Sequence, residues 1–491
     1  MLSSLTPGPG DPDPEGEGYE DDRPELVYNG TFLGRQYFPW IGYSGAGELT
    51  DEDARRRHGL KPRPPLPPPD DAAAAYTKAI ARDADWITLK ATVSTSADQV
   101  VVAPGNLQRE WVSGSRRHFQ YDMSDAPVHD FYAIVSGRYT VRRARWEDTA
   151  AEVYYDPQHP YNVDRMIDAV KKGLAYYSTA FGPYPFRQFR VVEFPRYGNY
   201  AQAFPGTVPY SEGIGFNAHA TAEDDLDMPF YVTLHELAHQ WWAHQVVGSL
   251  TQGSSLMSET LAQYSALMVM EKEVGPSNLR MYLRHELDRY LSGRSGDTRG
   301  ERPLFKSGAT YAVYNKGTIA MYALKDAVGE ATVNGALRRY LEATRFQNPP
   351  YTNSLEFLAY LKAAVPESQR GLIEDLFERI ILYDNRALEA TCVEKPGGRF
   401  AVSLKVGVRK LQADEVGREQ PLPVNDLIDI GVFAGSGLKQ RPLYFEKRRL
   451  TEEETMFEIE VGERPTTAGI DPYNKLVDRR SDDNTITVTK R

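Results

Sequence analysis

The stretch VTLHELAHQWWAHQ, residues 232–245, holds three of the chain's nine histidines. His235 and His239 are four apart, which on a helix is one turn plus about 40°, so both imidazoles face one side. Glu236 follows the first of them. Two histidines at this spacing can hold one zinc ion, and the glutamate between them can act on a zinc-bound water. The five-residue pattern also arises by chance, so its meaning depends on a third ligand and on the elements around it. A catalytic zinc site usually takes three protein ligands and keeps a fourth position open.

The next stretch, GSSLMSETLAQYSALMVMEKEVG (253–275), reads as a helix with Leu256, Leu261, Tyr264, Leu267 and Met268 on or near one side. Glu259 is its only acidic residue before Glu271. A glutamate in such a helix is costly to bury unless it is paired or bound to metal. The alternative is a solvated glutamate favoured by the helix dipole. The position of Glu259 after the two histidines favours a ligand.

These residues must be positioned by helices. For the first one, Asp224, Asp225 and Asp227 lie near the expected start, Pro229 suits a first turn and Gly248 a stop. On that helix His244 falls about 140° around from His239, off the ligand face, so a structural role is expected for it. Trp241 and Trp242 are expected to build core and cleft wall. His285, in RHELDR, reads as part of a solvated helix face.

The chain has 491 residues, enough for about three domains at roughly 150 residues each. Hydrophobic residues at 41% and charged residues at 25% fit a globular, water-soluble chain. A net charge of −11 without long basic runs argues against nucleic-acid binding. Cys392 is the only cysteine, which excludes an internal disulfide and a cysteine metal cage. No apolar run is long enough to span a membrane.

The pattern divides the chain as α+β and multidomain. Residues 1–80 read as linker and proline-rich extension. Within them, 1–24 is acidic with no signal-like regions, and 62–71 is a stiff proline-rich spacer. NGTFLGRQYFPWIGYSG, between the two, is expected to pack as an ordered arm. Asn29-Gly30-Thr31 matches a glycosylation sequon, a weak signal. A linker at residue 1 suggests that something precedes it in a longer chain. Residues 81–150 alternate as a β-rich domain, 151–385 are mostly helical, and 386–491 fit a β-sandwich.

HELAHQWW followed by SETLAQYSA resembles the gluzincin zinc peptidases, specifically the M1 aminopeptidase family. Members place eighteen residues between the second histidine and the ligand glutamate; here nineteen separate His239 from Glu259. The extra residue is expected in the loop VVGSLTQGSS. ATYAVYNKGTIAMYAL (309–324) resembles the family's Tyr-x-Lys-Gly segment, which assigns the transition-state tyrosine to Tyr314. WWAHQVVG, LAQYSALMVMEKEVG and AGIDPYNKLVDR look most like a bacterial subgroup in which the peptidase is joined to ABC-transporter-permease membrane segments. The resemblance covers about residues 80–490 and implies a thermolysin-like helical catalytic domain between β regions.

It also implies a mechanism. His235, His239 and Glu259 would bind one Zn²⁺, Glu236 would be the general base, and Tyr314 would donate to the developing oxyanion. The substrate would be a peptide. The family captures a free amine with the glutamate of a Gly-x-Met-Glu-Asn segment. Aligning GTVPYSE with the family's Gly-Leu-Ile-Thr-Tyr-x-Glu puts that glutamate on Ala203, so the motif is absent. Glu212 is the nearest acidic substitute as a substrate-binding group. The leading expectation is an aminopeptidase. The alternatives are an endopeptidase-like site and a non-catalytic zinc module attached to a membrane transporter.

Overall fold

The computed structural model describes residues 30–34, 37–38, 48–80, 85–195, 198–219 and 226–491. The readings of 1–24, of the Asn29 sequon and of Asp224 and Asp225 as helix-start residues lie outside the described residues.

The alternating stretch after residue 85 forms strands. Ile87–Ser96 and Asn106–Ser113 flank Arg116–Val128 in an antiparallel sheet. A second small sheet joins Val100–Val102, Ala133–Gly137 and Gly30–Gly34, so residues 30–34 of the arm expected between the spacers pair as a strand. The proline-rich stretch is also docked: the carbonyls of Leu66 and Pro67 accept from the Gln252 side chain and N–H, both at 2.8 Å.

A third sheet runs in the order Thr207–Ser211, Gln188–Phe194, Thr149–Tyr155, Thr140–Trp146. Its hairpin, 140–155, crosses the expected boundary at residue 150. The two later strands are added in parallel and are buried at every position, as strands covered on both faces are. One face, with Phe189 and Val191, packs on the helices. The other, with Tyr154 and Val192, packs on the small sheet through Phe32 and Val135. The β-rich and helical parts therefore share one sheet.

Helix Val163–Ala180 buries Val163, Met166, Ile167, Val170, Leu174 and Tyr177, one stripe at helical spacing. Against it lies the histidine helix, Met228–Ala238. Asp227 caps it by accepting the Phe230 N–H at 3.1 Å, with Pro229 in the first turn. The stop expected at Gly248 comes ten residues earlier: the helix ends at Ala238. Trp241 and Trp242 are both fully buried, and their indoles donate to different elements, to the Gly182 carbonyl at 2.8 Å and to Ser265 Oγ at 2.9 Å. The chain turns to satisfy both, and Ala243 adopts φ 150°.

The C-terminal β-sandwich is as expected. One sheet contains Ile380–Lys395, Arg399–Ala413 and Glu454–Val461, and the other Asp426–Ala434, Arg441–Leu450 and Thr467–Ile470. Between them lie Val402, Leu404, Val406, Ile428, Ile430 and Val432. Among the described residues no helix is long and apolar enough to cross a membrane.

The contact that seats the histidine helix is Gly173. A β-carbon there would lie 2.6 Å from Leu237 Cδ2 and 2.9 Å from Leu234 Cδ2. Gly173→Val should therefore overpack this contact and cost about 1–3 kcal/mol, read by urea unfolding. A variant as stable as the parent would show that the helices have room to spare.

Candidate metal centre

His235 and His239 lie on the last turn of the histidine helix and at its cap. Their Nε2 atoms are 3.0 Å apart. Glu259 Oε2 completes a triangle, 3.4 Å from His235 Nε2 and 3.3 Å from His239 Nε2. Both histidines are buried. The Glu259 oxygen is buried too, and it makes no well-aligned hydrogen bond despite these distances. His239 Nδ1 faces the Trp242 carbonyl at 3.0 Å. That acceptor places the proton on Nδ1 and leaves the Nε2 lone pair for the centre. Three donor atoms converging in a buried place, with the Glu259 oxygen left without a hydrogen-bond partner, fit a divalent cation. A set of two nitrogens and one carboxylate oxygen suits zinc with a position left open.

Electrostatics agree. Burial alone would raise the Glu259 carboxyl, but the two imidazoles outweigh it and hold the group well below the usual range. Burial alone would lower His239, yet the Glu259 carboxylate pushes it up to about 9. A proton and a cation would therefore compete for these groups.

Glu259 is not on a regular α-helix. Leu256–Thr260 forms a π-helical turn that leads into the helix Leu261–Val274. Tyr311–Lys316, which carries Tyr314, is a second π-turn leading into Gly317–Val328. Such widened turns are rare and concentrate at functional sites. The two touch: Thr260 Oγ1 donates to the Val313 carbonyl at 2.5 Å. Gly317 makes this approach possible, because a β-carbon there would fall on the Thr260 side chain. The Tyr314 ring stacks on His235, with centroids 5.6 Å apart.

Two buried carboxylates hold the Tyr314 turn from beneath. Asn315 Nδ2 donates to Glu286 at 2.6 Å, and Tyr231 and Gln263 donate to the same carboxyl at 3.1 and 3.2 Å. Burial pushes that carboxyl up to about 7. Lys316 Nζ pairs with Glu301 at 2.6 Å, and Arg294 also donates to Glu301, at 2.8 Å. Sequence reasoning missed Thr260, Glu286 and Glu301. Only the Lys and Gly of Tyr-x-Lys-Gly signalled that something must meet them.

Glu236 is buried beside the triad. Burial pushes its carboxyl up, while the two imidazoles and the Ala203 N–H favour the ionised form. The Ala203 carbonyl accepts from His244 Nε2 at 3.0 Å. The Ala203 backbone thus lies between Glu236 and His244, and its side chain is a methyl group. The helix ends before His244, so His244 reaches this place from the following turn rather than around a helix.

Glu212 begins a third π-turn, Glu212–Phe216, and gathers with a different group. Its Oε2 is 3.9 Å from His159 Nδ1, which is 2.5 Å from Glu193 Oε1. The other Glu193 oxygen accepts the Asp156 N–H at 2.6 Å. Burial raises Glu193 to about 7, against the pull of His159.

The Lys316–Glu301 pair is nearly unexposed on both sides. Lys316→Met should cost about 3–5 kcal/mol, because it leaves a buried carboxylate short of a partner. A loss below about 1 kcal/mol in urea unfolding would mean that Arg294 alone holds Glu301.

Residues 165–369 match the model of the peptidase family M1 domain. No curated protein matches the chain in sequence. The M1 zinc metallopeptidase of Deinococcus radiodurans is 19% identical over 59% of this chain and 63% of its own, with a TM-score of 0.46. A variant of it, bound to a Tyr-Ser-Ala substrate, is 18% identical at the same coverage, with a TM-score of 0.47. Legionella pneumophila aminopeptidase A, in complex with aspartic acid, is 16% identical with a TM-score of 0.52, over 82% of this chain and 44% of its own. This chain spans less than two thirds of each of them, and the last likeness is one of fold. His235, Glu236, His239, Glu259 and Tyr314, the five residues gathered at the centre, all fall within 165–369, the residues that match the peptidase family M1 domain.

Proposed function

We propose that the chain hydrolyses peptide bonds as a zinc metallopeptidase, with His235, His239 and Glu259 as the metal ligands. One observation carries this reading. The three converging donors share one buried place with a carboxylate, Glu236, that binds none of them, and with the Tyr314 ring. A metal held for structure alone has no need of either. A zinc ion in this set supplies Lewis acidity, which makes water nucleophilic at neutral pH and polarises a carbonyl. Glu236 takes the proton of the attacking water and hands it to the leaving amine. Its burial raises its proton affinity, which suits that return step. Tyr314 donates a hydrogen bond to the scissile carbonyl oxygen as charge develops there.

Aminopeptidase action is the form we favour, in keeping with the M1 domain. The methyl group of Ala203 favours a second form, an endopeptidase-like site, because a free amine finds no carboxylate there. Two peptides of one sequence, one with a free amine and one acetylated, separate the two when offered to the zinc-loaded protein with a chelator control. Chelator-sensitive cleavage of the free peptide alone is expected. Equal cleavage of both would replace the aminopeptidase reading with the endopeptidase one. If neither is cut, the peptidase reading fails and leaves a non-catalytic zinc module attached to transporter segments of a longer chain. Glu236→Gln should lower turnover about 10²–10⁴-fold while zinc content stays at one per chain; unchanged turnover would remove Glu236 from the mechanism.

Glu212 is the carboxylate we assign to the substrate's amine in place of the missing anchor. Glu212→Gln should then raise KM for free-amine peptides about tenfold and leave zinc content unchanged. A KM equal to the parent's would return Glu212 to its pairing with His159 alone.

A further inference from the structure

His239 is oriented by a carbonyl, and the direction of that carbonyl depends on a strained residue. The Trp242 carbonyl that faces His239 Nδ1 at 3.0 Å belongs to the peptide leading into Ala243. Ala243 has φ 150°, a backbone conformation that a β-carbon disfavours by about 1–3 kcal/mol. Such strain persists only where the surroundings over-determine it. Part of the restraint is local. The His244 N–H donates to the His239 carbonyl at 3.0 Å, and His244 Nε2 donates to the Ala203 carbonyl at 3.0 Å.

The remaining restraint comes from the β-rich part of the chain. His129 Nε2 lies 2.9 Å from the Ala243 carbonyl. Its other nitrogen, Nδ1, lies 3.5 Å from Lys78 Nζ. Both side chains are buried, His129 at 0% and Lys78 at 1% exposure. An ammonium has only donors, so Nδ1 accepts and the imidazole proton sits on Nε2, aimed at Ala243. Burial holds His129 well below its ordinary range, so the ring stays neutral. Lys78 is itself fixed, since its backbone bridges Ser249 and the next N–H donates to the Gly248 carbonyl at 2.9 Å.

We propose that His129 is a positioning residue for the metal centre. By holding the carbonyl of strained Ala243, it fixes the turn that orients His239 and places His244 on the Ala203 peptide beside Glu236. The N-terminal segment around Lys78 thereby takes part in building the centre, although it touches none of its ligands. This inference rests on the zinc reading above.

The test is zinc affinity, measured on the full chain by competition with a chromophoric chelator, at a temperature well below the melting point of each metal-free variant. His129→Leu should bind zinc about 10–100-fold more weakly, the usual cost of losing a partner that orients a ligand. His129→Gln can donate to Ala243 and accept from Lys78, so it should stay within about threefold of the parent. If His129→Leu does not fold, the same substitution is made with Ala243→Gly, which relieves the strained φ; zinc binding should still be weakened. A folded His129→Leu protein, with or without Ala243→Gly, that binds zinc as the parent does would overturn the proposal. So would a Gln variant as weak as the Leu variant. A parent chain that binds no zinc would instead overturn the zinc reading itself.

Discussion

Everything around the centre serves one unfavourable approach. Two imidazole lone pairs and a carboxylate oxygen stand 3.0–3.4 Å apart in a buried place. Without a cation or a proton these groups repel, and burial strengthens the repulsion. They stay together because each is fixed from a different element. His235 is part of a helix seated on Gly173, His239 is turned by the Trp242 carbonyl, and Glu259 is swung inward by a π-turn. Each ligand is thus held by its own surroundings, and such fixing reduces the ordering cost of binding.

The two π-turns behave as one piece. Thr260 hydrogen-bonds to the Tyr314 turn, and Gly317 lets it come close. Glu286 and Glu301 satisfy that turn's polar neighbours from beneath. Buried carboxylates of this kind are expensive unless fully paired, and here each has several donors. Their role is geometric: they hold Tyr314 against His235.

The β-rich part is not an appendage. Its hairpin extends the sheet that packs on helix Val163–Ala180, which in turn supports the histidine helix, and its His129 reaches the turn after the histidine helix. The Ala203 backbone connects two roles, with its N–H toward Glu236 and its carbonyl toward His244. A backbone group does this equally well with any side chain, so the surroundings of Glu236 do not depend on the methyl group of Ala203.

Sequence alone was enough to single out the residues that gather at the centre. Residues four apart on a helix share a face whatever packs on it, so His235 and His239 declared themselves, and Glu259 and Tyr314 followed from order and family resemblance. Strand alternation and Gly/Pro punctuation likewise gave away the C-terminal sandwich. Local periodicity carries no information about contacts between segments far apart in the chain. For that reason the end of the histidine helix at Ala238, forced by burying two adjacent indoles on different partners, could not be read from Gly248. Nor could the buried partners of Asn315 and Lys316, the docking of the 62–71 spacer, or the reach of His129 across 114 residues. Tertiary packing alone decided these, because each depends on which donor finds an acceptor once water has been excluded.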